Sequence, residues 1–386
     1  MFRIHRRRSA SLVALGLTAT LVLTACGSGS DSASTSAGPS VDNSQGIEHA
    51  QQRLDTYSAV VDGYVPTEKL SDPAGLQGKK VMYIPAVAAI PFFQTSWQAF
   101  QEALTSAGVE AVICDGGADP AKMSSCLDQA RDQRVAGVVI DALSPAIAEQ
   151  SYDAVVDAGI PVVLGNIPTP DGSPDTVQSV DAGTTLAVEL AADSIIVASG
   201  GNGGVIGVKN TDSPVVEGWY DNGVEEFATY APSMKVTTVE SKTAEQTSLP
   251  SKVSAAMLAN SDADYTLGSV PQSFAEAAIQ GATDAGRPDA LSTTAAATLG
   301  DLQKLQQGSG YLSAVGWDLV RINYYVADVM FRLIEGDVVD TTQYVTPVRV
   351  FDKDNVQDLD VSEQGWLDSA WYGGDDYKSE FTALWN

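Results

Sequence analysis

The stretch KKVMYIPAVAAIPFFQTSWQAFQEALTSAG, Lys79 to Gly108, decides the fold. It opens on an apolar run, Val81 to Ile84, of the length and composition of a buried parallel strand. It then breaks at Pro85 and Pro91 and enters a helix. Trp97, Phe100, Leu104 and Ala107 recur at spacings of three and four, which lines them on one helical face, and Gly108 supplies the stop. That face is expected in the core. Phe92 and Phe93 sit in the break itself, at the carboxyl end of the strand, where open parallel sheets bind ligands; packing beneath the helix is the alternative for both rings.

Outward from this unit the same rhythm repeats. Val109 to Ile113 reads as a second strand, with Asp119 and Pro120 as N-cap and first residue of the next helix. Val135 to Ile140 is a third strand ending at Asp141. Ser144 and Pro145 open a helix that Gly159 closes, and Ile160 to Leu164 is a fourth strand ending in Gly165 and Asn166. A second series follows, with helices at 184–198, 215–230, 249–260 and 272–285 and strands at 205–208, 234–239, 265–267 and 291–294. Strands spaced by helices predict right-handed crossovers and parallel sheets, hence an α/β chain of two doubly wound lobes with a cleft between them.

The strand, the Pro-Phe-Phe turn and helix, followed by VICDGGADPAKMSSCLDQ and GVVIDALSP, resemble the amino-terminal lobe of type I periplasmic binding proteins of the ribose-binding family, which feed ATP-driven importers. The likeness in pattern runs from about Lys79 to about Phe351 and is closest in the first lobe. It implies a three-crossing hinge, near Asp181 to Gly183, Gly316 to Asp318, and Tyr344. The first lobe would then comprise 77–182 and 317–343, the second 183–316 and 344–353, with an acidic, aromatic extension over 354–386. That extension holds Trp366, Trp371, Tyr372 and Trp385, rings that suit packing rather than disorder.

By the same resemblance Phe92 and Phe93 take the aromatic sandwich position, Asp141 the polar position after the third strand, and Asn166 the aspartate position after the fourth. Trp219 falls near an arginine position of the second lobe, and Trp317 or Asp318 at the hinge position often held by glutamine. Three departures set the chain apart: Ile167 where ribose binders carry arginine, Ile90 where they carry asparagine, and Ala295 to Ala297 where an aspartate is usual. Each charged hydrogen bond lost removes about 1.5–3 kcal/mol, too much to forfeit three times for one pentose. The expected solute has fewer hydroxyls or more apolar surface than a pentose: a modified sugar, a polyol or a small cyclic compound.

Composition bounds the rest. The 386 residues suffice for two cores. The net charge of −27 becomes about −31 without residues 1–25, which hold four arginines and no acid, so nucleic acid is not an expected partner. Arg3, Arg6, Arg7 and Arg8 followed by the apolar Leu12 to Leu23 read as an export leader too short to stay in a bilayer. Leu23-Thr24-Ala25-Cys26 resembles a lipobox, with Cys26 lipidated and the chain anchored outside the membrane; an ordinary signal peptide with an incidental cysteine is the alternative. Gly27 to about Ser44 is too poor in apolar residues to fold, and the stretch up to residue 76 is assigned to the tether.

Cys114 and Cys126 are left, a disulfide if bridged, or two buried thiols. With only His5 and His49 as histidines, neither a metal site nor a Ser-His-Asp or Cys-His nucleophile is available, and no cofactor is expected. Glu225 and Glu226 read as a solvated face, and the glycine-rich 199–204 as a turn. The expected function is a monomeric solute receptor handing its ligand to a membrane ABC permease. A receptor serving a membrane sensor kinase, and a lipid-anchored hydrolase using paired carboxylates, are the alternatives.

Overall fold

A computed structural model describes residues 42–271 and 273–386. The leader, the Cys26 anchor, the tether up to residue 41 and Gln272 lie outside the described residues. Helix α1 (Ser44–Ser58) comes first. The first lobe then lays down β1 (Lys80–Pro85), α2 (Pro91–Ser106), β2 (Glu110–Ile113), α3 (Pro120–Gln133), β3 (Gly137–Asp141), α4 (Glu149–Asp157), β4 (Val162–Gly165) and β5 (Val177–Val180). Its sheet has the order β2-β1-β3-β4-β5 with every pairing parallel. In β1, Val81 and Tyr83 join one core cluster while Met82 and Ile84 join another. A continuous apolar run is what a central strand covered on both faces requires.

The second lobe adds α5 (Thr184–Ser199), β6 (Gly204–Asn210), α6 (Pro214–Tyr230), β7 (Lys235–Ser241), α7 (Leu249–Ala259), β8 (Ala263–Gly268), α8 (Ser273–Asp284), β9 (Leu291–Thr294), α9 (Leu299–Gln306) and β10 (Tyr311–Trp317). Helix α10 (Leu319–Glu335) returns to the first lobe and packs on α2, and β11 (Val348–Asp352) closes the second sheet. That sheet runs β11-β10-β9-β8-β6-β7, parallel except for β11. The passages between sheets lie side by side, because Thr346 Oγ1 donates to the Asp181 carbonyl at 2.8 Å and the Asp318 N–H to the Pro347 carbonyl at 2.9 Å.

Four readings need correction. Residues 44–76 are no tether: α1 lies against α5 and β11, and Ala50 and Leu76 are fully buried. Ile47, Ala50, Leu54 and Tyr57, at spacings of three and four, face the core, and the ion pairs of Arg53 add to that attachment. Arg53 bonds Glu189 at 2.6 Å and Glu226 at 3.0 Å and lies 3.4 Å from Asp193, so Glu226 belongs to a largely buried ion cluster rather than a solvated face. Strands β5 and β10 escape the pattern, the first short with polar residues between its valines, the second broken by Ser313 and Gly316. The resemblance also implies a last strand over Tyr344 to Phe351, and here it begins only at Val348.

The carboxyl-terminal extension is packed. Helix α10 is buried without a break from Leu319 to Phe331, and a helix buried on every side needs cover on every side. Helix α2 covers part of it, and α12 (Asp376–Leu384), which follows the short α11 (Glu363–Leu367), covers another. Trp385 stacks on Tyr324 with ring centroids 5.7 Å apart and meets Phe331 edge-on at 5.0 Å. Trp366 and Trp371 stack at 5.5 Å, and Trp371 meets Phe351 of β11 edge-on. Arg349 ties both flanking segments to the second lobe by donating to the Ser58 and Trp371 carbonyls. Cys114 and Cys126 form a disulfide, from the end of β2 to the second turn of α3.

Candidate binding site

Strand order reverses between β1 and β3 in the first sheet and between β6 and β8 in the second, and at each reversal the following loops part to leave a crevice. The crevices face one another across a cavity of about 120 Å³. From the first lobe it is lined by Ile90, Phe92, Phe93, Ala142 and Asn166. From the second lobe and the hinge come Thr184, Trp219, Val270, Pro271, Ala296, Thr298 and Trp317. Most of these residues sit just beyond a strand's carboxyl end, for a mechanical reason: there the backbone leaves the ladder and side chains turn toward the gap.

Pro91 starts α2 with its fixed φ and no N–H to satisfy, which sets Phe92 and Phe93 in the first turn. The two rings meet edge-on at 5.1 Å, and Phe92 meets Trp317 edge-on at 6.2 Å. Rings from α2 and from the end of β10 therefore converge on one wall. Ala142 and Asn166 both take the left-handed conformation, at φ 56° and 61°. Each then adds a rung beyond its strand, with Ala142 N–H donating to the Gly165 carbonyl at 2.9 Å and Asn166 N–H to the Val180 carbonyl at 3.3 Å. Left-handed backbone costs an L-residue about 1–2 kcal/mol, and it turns both side chains into the gap.

No Asp, Glu, Lys, Arg or His is among the twelve lining residues. Asp141 and Asp318, both read as ligand contacts, stand back from the wall. Asp318 caps α10, accepting from the Arg321 N–H at 3.0 Å and the Ser369 hydroxyl at 2.8 Å, and burial pushes its carboxyl up to about 6. Asp141 lies behind Asn166, accepting from the Asn166 amide at 2.6 Å and from the Tyr83 hydroxyl. Burial lifts its carboxyl above the usual range although both hydrogen bonds oppose that. Phe92, Phe93, Asn166, Trp219 and Trp317 are brought together; Asp141 supports one of them from behind, and Asp318 does not take part.

Two polar atoms of lining residues, Asn166 Oδ1 and Trp317 Nε1, are buried without a partner among the described residues. The Thr298 hydroxyl is engaged by Asp301 in a capping box. Ile90 and Ala296 are on the wall, so two of the three departures from the ribose pattern place apolar surface in the cavity, while Ile167 is in the core of the first lobe. Ala142, Thr184, Val270, Pro271 and Thr298 were not anticipated. Their position just past a strand was a usable signal for Ala142, Val270 and Pro271. A wider hollow of about 520 Å³ beside α4 and residues 167–174 draws every lining residue but Val215 from the first lobe, so two lobes cannot clasp a guest there.

A family model described as a periplasmic binding protein domain matches residues 81–337. The chain belongs to the periplasmic binding protein family. Membership places this periplasmic binding protein among extracytoplasmic solute-binding proteins rather than enzymes. A search of curated proteins finds no match.

Solved structures share the fold. A 5-methylthioribose transporter solute-binding protein from Thermotoga lettingae, in complex with 5-methylthioribose, is 20% identical with a TM-score of 0.68, covering 82% of this chain and 99% of that one. A sugar ABC transporter protein from Yersinia enterocolitica is 16% identical with a TM-score of 0.68, over 83% and 99%. An ABC transporter solute-binding protein from Agrobacterium vitis with bound allitol is 18% identical with a TM-score of 0.64, over 73% and 97%. Identities this low carry the architecture alone. No helix among the described residues is long and apolar enough to cross a membrane, and no group of three or more His, Cys, Asp or Glu among them is placed to hold a metal.

Proposed function

We propose that this periplasmic binding protein is the solute receptor of an ABC importer, held at the outer face of the membrane by a lipid on Cys26. It captures a small neutral solute between its lobes and delivers it to the permease by lobe closure. The observation that supports this best is the cavity wall itself, with rings from both lobes and no charged side chain. Burying an ionised ligand without a counter-charge is expensive, so the wall favours an uncharged guest with apolar faces: a modified sugar, a polyol or a small cyclic compound. The 5-methylthioribose bound by a similarly folded protein fits that description, and the allitol bound by another is likewise uncharged. Closure is stabilised only by contacts stronger in the closed form, and a ligand touching both Phe92 and Trp219 supplies them.

A thermal-shift screen of residues 26–386 against 5-methylthioribose, ribose, allitol, tagatose and glycerol, with gluconate and glucosamine as charged counterparts, tests this. A ligand at a hundred times its Kd adds about 2.7 kcal/mol of stability. Phe93→Ala or Trp317→Ala is expected to abolish that gain. Full binding by both variants would place the site elsewhere, and silence across neutral solutes with a response to charged ones would overturn the reading.

A further inference from the structure

Asp141 is buried, is not among the residues lining the cavity, and yet makes the hydrogen bond that fixes the Asn166 side chain on its wall. Its Oδ1 accepts from Asn166 Nδ2 at 2.6 Å while its Oδ2 accepts from the Tyr83 hydroxyl. A carboxylate accepts and does not donate, so the Asn166 amide has one compatible orientation: nitrogen inward, Oδ1 outward. Gly165 leaves the room for this, since a Cβ there would come within 3.0 Å of Asp141 Oδ1. Asn166 Oδ1 is the amide atom left over, buried and unpartnered, and the Trp317 indole N–H across the cavity is in the same condition. A buried polar group without a partner is destabilising, and a matching ligand group removes that penalty.

We propose that Asp141 is a positioning residue that sets the polarity of the site, so that the cavity selects a neutral ligand presenting a hydroxyl donor to Asn166 Oδ1 and an oxygen acceptor to Trp317 Nε1. The inference rests on the solute-site reading and narrows its substrate class. An aspartate at position 166 would accept equally, but beside Asp141 it would place two carboxylates together in a buried wall. An asparagine held by Asp141 gives an acceptor without that repulsion.

The test uses residues 26–386 with 5-methylthioribose and allitol as probes, each compared with analogues in which one hydroxyl is replaced by fluorine, which accepts weakly and cannot donate. The wild-type protein is expected to lose about tenfold in affinity for one fluorinated analogue of the probe it binds. In Asp141→Asn the new amide can donate to Asn166 Oδ1 and turn that side chain round, so discrimination is expected to fall below about threefold. Tyr83→Phe, which leaves the Asp141–Asn166 bond in place, is expected to retain it. Discrimination equal in wild type and Asp141→Asn sinks the proposal while leaving the solute site standing. Absence of any Phe93-dependent stabilisation by either probe or by any other neutral solute removes the site reading and this inference with it. Should Asp141→Asn not fold, hydrogen exchange of the Asn166 side-chain amide in wild-type protein decides: slow exchange of one amide proton is expected, and fast exchange of both refutes the fixed orientation.

Discussion

Trp385→Ala is expected to lower the stability of the protein by about 3–5 kcal/mol, the usual cost of deleting a buried tryptophan. The residue is fully buried. Its ring fills a pocket formed by Tyr324, Phe331 and Phe381, and its indole N–H donates to Asp328 Oδ1 at 2.8 Å. Asp328 is itself wholly buried and also accepts from Tyr344 and Arg332, so the tryptophan closes a network as well as a core. Trp385→Phe keeps much of the ring packing but leaves that oxygen short of a donor, and should cost about 1–3 kcal/mol. Urea unfolding of the two variants separates the contributions. Losses below about 1 kcal/mol for the alanine variant would mean that the terminal helix does not hold this position.

The second large effect is electrostatic and depends on pH. Among the described residues Arg53 is the cation paired with Glu189, Asp193 and Glu226, and all four side chains are at least three-quarters buried. Burial, and the neighbouring Glu226 and Glu189, raise Asp193 to about 7 despite the attraction of Arg53. The folded value lies above the unfolded one, so the folded protein binds this proton more tightly. The associated stabilisation is fully present below about pH 4 and is lost as pH rises through about 7. Wild-type protein should therefore be more stable at pH 5 than at pH 8, and Asp193→Asn should flatten that difference. Arg53→Met strands three carboxylates and is expected to cost about 3–5 kcal/mol at pH 8. At pH 5 protons replace the missing cation, and the loss should shrink by more than half. Equal losses at both pH values, read from urea unfolding, would show that the carboxylates do not share a proton.

These two sites were the least legible parts of the sequence, for related reasons. α1 does carry a local stripe, Ile47, Ala50, Leu54 and Tyr57, which the polar stretch before it masks, but its ion cluster joins Arg53 to three acids 136, 140 and 173 residues away, and no local period records that. The aromatic extension shows its rings, but which helix they cover depends on α10 being buried all round. By contrast β1 and α2 could be read directly, because a four-residue apolar run and a 3.6-residue period are local signals. Of the cavity residues, Phe92, Phe93 and Asn166 follow strands that the sequence shows, whereas Trp317 ends β10, a strand it does not show, and was placed only by the resemblance. The carboxylates were misassigned because a strand end fixes where an aspartate is, not which way its oxygens turn. Asp318 turns back to cap α10, a role its place one residue before an apolar helix also permits. Asp141 turns inward, where Tyr83 and Asn166 both offer hydrogens.

Arg349 holds the Ser58 and Trp371 carbonyls at once, and this has a bearing on how the protein is produced. An expression clone cut at the limits of the family match, 81–337, would delete β11 and with it the antiparallel neighbour of β10, leaving a bare sheet edge along Ser313 to Trp317. It would also uncover the rings of Tyr324 and Phe331 that Trp385 shields. Such a fragment is expected in inclusion bodies, whereas one spanning 42–386 should elute as a single sharp species in size-exclusion chromatography.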